Sequence, residues 1–218
     1  MPIRYQYDRA FLTGCDRSTQ WMLPWFLEHY RRHHSTPLVF ADFGVTNEMR
    51  AFMAGQVDCM INMQETIEQG WFKKPKAMIA CPALQTVWID TDCQILANCD
   101  GIFDNIEPDK LSMVEDKPWS MRREEIWHNS GIVAFERKPR ILTLWAEQVA
   151  RNPEVGDQEV LHSMLDPVGK LVYIKDLDNK YNVLRLQLED RSYRGKPSII
   201  HWTGRKGKIK IKEMIDGK

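Results

Sequence analysis

No apolar run in this 218-residue chain approaches the length of a bilayer span. The opening stretch, Met1 to Phe11, has no apolar core of the kind a secretory signal needs, so none is expected. There is no excess of either charge: 30 basic residues face 30 acidic ones, and no global field favours nucleic acid or a membrane surface. Cysteine is sparse and odd in number (15, 59, 81, 93 and 99), with no C-x-x-C pair. That excludes a disulfide framework and a zinc ribbon, and fits reduced, buried thiols in a cytoplasmic protein. Internal repeats and low-complexity segments are missing too. What remains is a chain long enough for one full core, with eight tryptophans and eleven methionines to fill it.

The most informative stretch is Gln85 to Leu96, Q-T-V-W-I-D-T-D-C-Q-I-L. Val87-Trp88-Ile89 reads as a buried strand, and Asp90 and Asp92 follow it. In open α/β sheets ligands collect at the carboxyl ends of strands. If the chain stays extended there, both carboxylates point the same way and can face one hard cation. A cation so held keeps open positions for a diphosphate, which it can neutralise as a leaving group. A bare D-x-D arises about once by chance in a chain of this length. Indeed Asp176-Leu177-Asp178 is a second one, also after an apolar run, Leu171 to Ile174, which reads as a strand.

Ala10-Phe11-Leu12 is a strand candidate closed by Thr13-Gly14-Cys15-Asp16, a turn that belongs at the ligand edge of a Rossmann-like unit. Ser18 or Thr19 is then expected to cap a helix, with Pro24 kinking it or marking its first turn. Pro37 to Ala41 reads as the next strand, and residues 46 to 69 as a helix and a short strand at Cys59-Asn62. Lys73, Lys74 and Lys76 open a helix over Ala77 to Ala80. A lysine run usually means a solvated face, with Lys76 the one expected to touch phosphate or sugar. Asn129-Ser130-Gly131 feeds a strand, with Gly131 permitting close backbone approach to a ligand. Asp157 starts a helix, where an N-cap role suffices for it. His201 follows the strand Ser198-Ile199-Ile200 and can complete a metal sphere begun by two carboxylates. The basic segment after it, with Lys206, Lys208, Lys210 and Lys212, reads as a loop that pairs with phosphate or as a guarded edge strand.

In order, these motifs resemble the GT-A glycosyltransferases, and most closely glycosyltransferase family 8. The matching residues are Ile89-Asp90-Thr91-Asp92, Asn129-Ser130-Gly131, Gly156-Asp157-Gln158 and His201-Trp202-Thr203-Gly204, within about residues 10 to 208. The resemblance implies a single α/β GT-A (Rossmann-like) domain over 1–218, with a mixed, mostly parallel sheet flanked by helices. Residues 1–100 would be its nucleotide-binding half, and 101–218 its donor-sugar and acceptor half. It implies Mn²⁺, or Mg²⁺, on Asp90, Asp92 and His201. Thr13, Gly14 and Asp16 would lie near the nucleoside. Lys76, Thr91, Gly204 and Lys206 or Lys208 would lie near the diphosphate or sugar. Asn129 and Ser130 would face the donor sugar with Asp157 and Gln158, the pair assigned to catalysis. The implied activity is transfer of glucose or galactose from a UDP-sugar to an unknown acceptor (sugar, lipid, protein or modified nucleic acid), with retained configuration and front-face attack. Glu159 stands where that family has a second aspartate, Gly207 where it has a lysine, and its P-W is missing.

Two other classes compete. A nucleotidyltransferase would want a glycine-rich, basic loop after the first strand, and Thr13 to Arg17 has one glycine. A nucleotide-sugar-binding protein with a degenerate loop fits the missing P-W but not the intact aspartate pair. A nucleic-acid role would rest on residues 205–212 alone.

Overall fold

The computed structural model describes residues 5–65 and 70–217, so the end of the 46–69 reading, at 66–69, lies outside the described residues. Seven strands form the main sheet: β1 (Tyr7–Cys15), β2 (Leu38–Asp42), β3 (Cys59–Asn62), β4 (Ala83–Ile89), β6 (Leu111–Glu115), β7 (His128–Glu136) and β8 (Ile174–Asp176). Their order is β3-β2-β1-β4-β7-β6-β8, and only β7 runs against its neighbours. This is the mixed, mostly parallel sheet expected. The remaining strands, β5 (Cys93–Ile95), β9 (Val183–Leu184) and β10 (Ile199–His201), make a small second sheet in the order β5-β10-β9.

The inner strands are apolar without alternation because both faces are covered. Phe11, Phe40, Val87 and Ile89 point to one side, against Trp25 and Phe26 of α1 (Leu23–His33) and against the small sheet. Ala10, Leu12, Val39, Trp88 and Val133 point to the other. There they meet α3 (Lys74–Ala80), α5 (Arg140–Arg151) and α6 (Asp157–Met164). The chain winds outward from β1 through β2 to β3, then returns to lay β4 on the other flank of β1. That reversal opens a crevice at the carboxyl ends of β1 and β4, where ligands collect in such sheets.

Several local expectations are corrected. β1 runs through Thr13-Gly14 to Cys15, so the turn begins at Asp16. Its carboxylate, not a Ser18 or Thr19 cap, accepts Ser18 N at 2.9 Å and Ser18 Oγ at 2.6 Å. Pro24 sits in the first turn of α1. Residues 171–173 are helix rather than strand: α7 (Pro167–Tyr173) runs up to β8, which begins only at Ile174. Asp166 caps α7 by accepting Gly169 N, and Pro167 is fixed for the first turn, signals stronger than a three-residue apolar run. The basic segment after His201 is neither loop nor edge strand but α9 (Gly204–Ile215). Lysine is a good helix former. The alternation K-I-K-I-K imitates a strand, yet of its isoleucines only Ile211 is buried. Gly207 packs so tightly on the Trp202 carbonyl that a Cβ there would overlap it.

Among groups outside the crevice, His34 has a testable consequence. Its side chain is wholly buried, with Nδ1 3.1 Å from Asp100 Oδ1 and Nε2 2.9 Å from Cys99 Sγ. Burial holds its pKa below the ordinary 6.5, with Asp100 only partly opposing. Below pH 6.5 the unfolded chain therefore binds the proton that the folded one resists, and stability falls as pH drops through that point. His34→Gln is expected to flatten the fall of melting temperature below pH 6.5; an unchanged slope would contradict this.

Candidate active site

A cleft of about 450 Å³ opens at the switch point between β1 and β4. Gly14, Cys15 and Asp16 line it from β1, and Asp90, Thr91 and Asp92 from the end of β4. The two aspartates do not sit on an extended strand. β4 ends at Ile89, and Cys93 N donates to Asp90 O at 3.1 Å, closing a turn. The turn turns both side chains toward one histidine. His201 reaches them because β10 pairs antiparallel with β5, His201 opposite Cys93, and Trp202 N donates to Asp92 O at 3.0 Å. His201 Nε2 lies 3.1 Å from Asp92 Oδ1 and 3.8 Å from Asp90 Oδ2.

The other face of the imidazole is fixed. Nδ1 meets two amide oxygens, Asn129 Oδ1 at 3.2 Å and Asn182 Oδ1 at 3.1 Å, so it must be the donor. The Asn129 amide is itself oriented. Gly131 N and Asn182 Nδ2 both donate to its oxygen, and its nitrogen donates to Asp116 Oδ2 at 3.0 Å. Nε2 therefore faces the two carboxylates either with a proton or with a lone pair. Desolvation pushes Asp90 above its ordinary pKa, although Lys74 and His201 pull the other way. Burial would raise Asp92 too, but the adjacent imidazole prevails and holds it low. Burial alone would lower His201, and Asp92 reverses that, so its pKa is raised. Two carboxylates facing one imidazole nitrogen are the donor types of a divalent cation, which would take the place of the proton. The residues fit such an ion.

The ligand atoms that lie within 4.8 Å of one another are those of Asp92, His201 and the Cys93 thiol, and Asp90 is not in that group. We favour Asp90 as the third ligand. Cys93 is fully buried in the core, its thiol pushed well above the ordinary pKa by burial, and it does not line the cleft.

Lys74, not Lys76, is the cation of the floor. The lysine run is not a solvated face: Lys73 and Lys74 are buried, and Lys73 Nζ donates to Met63 O at 2.8 Å. Lys74, at the start of α3, has its ammonium 3.0 Å from Asp157 Oδ2 and 3.2 Å from Asp90 Oδ1, and donates to Ser130 O and Oγ. Burial would lower its pKa, but Asp157 and Asp90 outweigh that and raise it. Lys76 lies on the other side of α3, with Thr143 and Glu147 of α5. Asp157 is accordingly more than a helix cap; Gly156 occupies the cap position.

Asn129, Ser130, Asp157, Gln158, Gly204 and Lys208 line the cleft. Thr13 is buried in β1 and Lys206 is exposed on α9, and neither lines it. Gln158 Nε2 donates to Asp116 Oδ2, while its Oε1 accepts from Asn129 Nδ2 and Ser130 N, so its amide positions rather than reacts. Gly131 lines the cleft and makes a close approach to His201: a Cβ there would overlap Cε1 and Nδ1. Gly131→Ala should displace the imidazole at a cost of about 1–3 kcal/mol. Weakened metal binding with a retained circular-dichroism spectrum is the expected result; unchanged metal affinity would contradict it. Asp176 pairs with His128 at 2.8 Å and Asp178 caps a short helical turn, so the second D-x-D stays structural.

Sequence reading missed Asp116, Lys74 and Asn182. Asp116 had a signal, since it follows the apolar strand β6 as Asp90 follows β4. Lys74 was one of three neighbouring lysines, and Asn182 one residue of a polar loop.

No family model matches the chain, and no curated protein matches it. Its fold, however, recurs in solved glycosyltransferases. Galactosyltransferase LgtC, solved in complex with donor and acceptor sugar analogues, superposes with a TM-score of 0.65 at 13% identity, over 89% of this chain and 87% of that one. Glycosyltransferase GlyE of Streptococcus pneumoniae gives 0.68 at 15%, over 91% of this chain and 55% of its own. Mouse xyloside xylosyltransferase 1 gives 0.57 at 14%, over 89% and 97%. The chain has the α/β fold of these GT-A enzymes.

Proposed function

We propose that this protein is a metal-dependent glycosyltransferase that moves a hexose, glucose or galactose, from a UDP-sugar to an acceptor hydroxyl with retention of configuration. The observation that carries the reading is the convergence of Asp90, Asp92 and the oriented His201 Nε2 at the floor of the switch-point cleft. Asp90, Asp92 and His201 would hold Mn²⁺ or Mg²⁺, and that ion supplies Lewis-acid neutralisation of the diphosphate.

The chain's own groups supply the rest. Gly14 and Asp16 sit where the nucleoside would enter, and Lys208 supplies a cation at the cleft wall for a phosphate oxygen. Lys74 ties Asp90 to Asp157, so metal floor and sugar pocket keep a fixed separation. The Asp157 carboxylate presents negative charge where positive charge develops on the sugar. Front-face attack needs no dedicated protein nucleophile, and the acceptor hydroxyl's proton can pass to the departing diphosphate.

The test is UDP release from UDP-glucose and UDP-galactose, with Mn²⁺ and with EDTA. Metal-dependent release from one of them is expected. Metal-dependent binding without release from either would leave a binding protein and overturn the transferase reading.

A further inference from the structure

A second groove, about 470 Å³, adjoins the cleft and is lined by Trp21, Arg205, Lys208, Ile209 and Lys212. Lys208 lines both cavities. Arg205, Lys208, Ile209 and Lys212 recur at helical spacing, so one face of α9 forms this wall. The Lys212 ammonium lies 5.1 Å from the centroid of the half-exposed Trp21 ring. Among the described residues no carboxylate pairs with Arg205, Lys208 or Lys212, whereas Lys210, on another face of the helix, is paired with Glu213.

The placement of these cations works against the helix. The first turns of a helix favour acidic residues, because its amino end carries partial positive charge. α9 has no acidic residue in its first turn and begins G-R-K-G-K. Arg205 and Lys208, in the first turns, oppose the dipole, while Lys212 on the same face lies in the last turn. The three cations repel one another, and a bound anion relieves that repulsion. The groove is open, aromatic on one side and cationic on the other, and it meets the donor cleft at Lys208.

We propose that this groove binds the phosphate of a phosphate-bearing acceptor, Arg205 and Lys212 gripping the phosphate while Trp21 offers an apolar face to the body of the molecule. The role as acceptor site rests on the transferase reading. In front-face attack the acceptor hydroxyl enters on the side from which the diphosphate leaves, and Lys208 marks that side. The phosphate could belong to a soluble sugar phosphate or to a lipid headgroup; the chemistry recognised is the same.

The experiment is calorimetric titration of the full chain, with and without saturating UDP and Mn²⁺. The probes are glucose 6-phosphate, glucose, and phosphatidylcholine vesicles with and without phosphatidic acid. Glucose 6-phosphate or the phosphatidic acid vesicles should bind and glucose should not; which of the two binds assigns the source. Binding should persist beside UDP and Mn²⁺. In the R205Q/K212Q variant it should weaken about tenfold or more, with R205K/K212R restoring it. UDP affinity should be unchanged in both variants. Competition with UDP would place the probe in the diphosphate site and overturn the proposal. So would equal binding of glucose, no binding of either phosphate probe, or unchanged binding by R205Q/K212Q. Tighter binding of a single-stranded oligonucleotide, with a steep salt dependence, would overturn it in favour of nucleic acid. If UDP fails to bind while the phosphate probe still depends on Arg205 and Lys212, the donor reading fails and the anion site stands.

Discussion

Lys74→Met is expected to lower the unfolding free energy by about 3–5 kcal/mol, because it leaves the buried Asp157 and the partly buried Asp90 without their counter-charge. The side chain of Lys74 is only 3% exposed, so water cannot replace the ammonium without opening the cleft floor. The same change should raise the pKa of Asp90 further, since the Lys74 ammonium is what opposes the effect of burial there. Asp90 protonated is a poor metal ligand, so metal-dependent UDP binding should fall with stability. Lys76→Met is the control: it lies on the α5 side of α3, and UDP affinity should be unaffected. Urea unfolding and UDP titration of the two variants check this. A stable Lys74→Met protein with undiminished UDP affinity would contradict the assignment.

Asp92→Asn and Asp90→Asn should both weaken metal-dependent UDP binding by about 100-fold or more, as even outer partners of metal ligands are worth about 10–100-fold. Their effects on the metal-free fold should differ in sign. The folded-state pKa of Asp92 is depressed by His201. Its ionised form thus stabilises the fold above the ordinary aspartate pKa of 3.8, a contribution lost as pH falls through the folded value. Asp92→Asn removes it and should lower stability at pH 7. Asp90 is shifted the other way, chiefly by burial. Its contribution is present at low pH and lost as pH rises through the folded pKa, so at neutral pH its charge is a liability. Asp90→Asn should leave the metal-free protein at pH 7 as stable as the parent or more so. That is the mark of a carboxylate kept for function. Thermal melts in EDTA at pH 7 read the difference; equal destabilisation by both variants would contradict it.

The central sheet was legible because strands covered on both faces are written as unbroken apolar runs, as in Leu38–Ala41 and Val87–Ile89. The proximity of Asp90, Asp92 and His201 was legible for a related reason: each follows such a run, and strand ends meet at a sheet edge. Legibility stopped where tertiary context decides. Lys74 and Lys76 have the same local surroundings in sequence, and only the packing of α3 between β1 and α5 separates the cation of the floor from its neighbour. The α9 segment carries a period-2 pattern on a helix-forming composition, and of the isoleucines in that alternation only Ile211 is buried, a choice that packing makes. Asn182 acts across 19 residues on His201, and Asp116 acts through Asn129, so neither leaves a spacing to read.

The most direct test of the donor site is calorimetric titration of UDP into the protein, first with Mn²⁺ and then with EDTA. UDP should bind with the ion present, and this binding should be lost when EDTA removes it. Absence of binding in both conditions would contradict the account, and Asp90, Asp92 and His201 would be a buried ion-pair cluster in a glycosyltransferase-like fold.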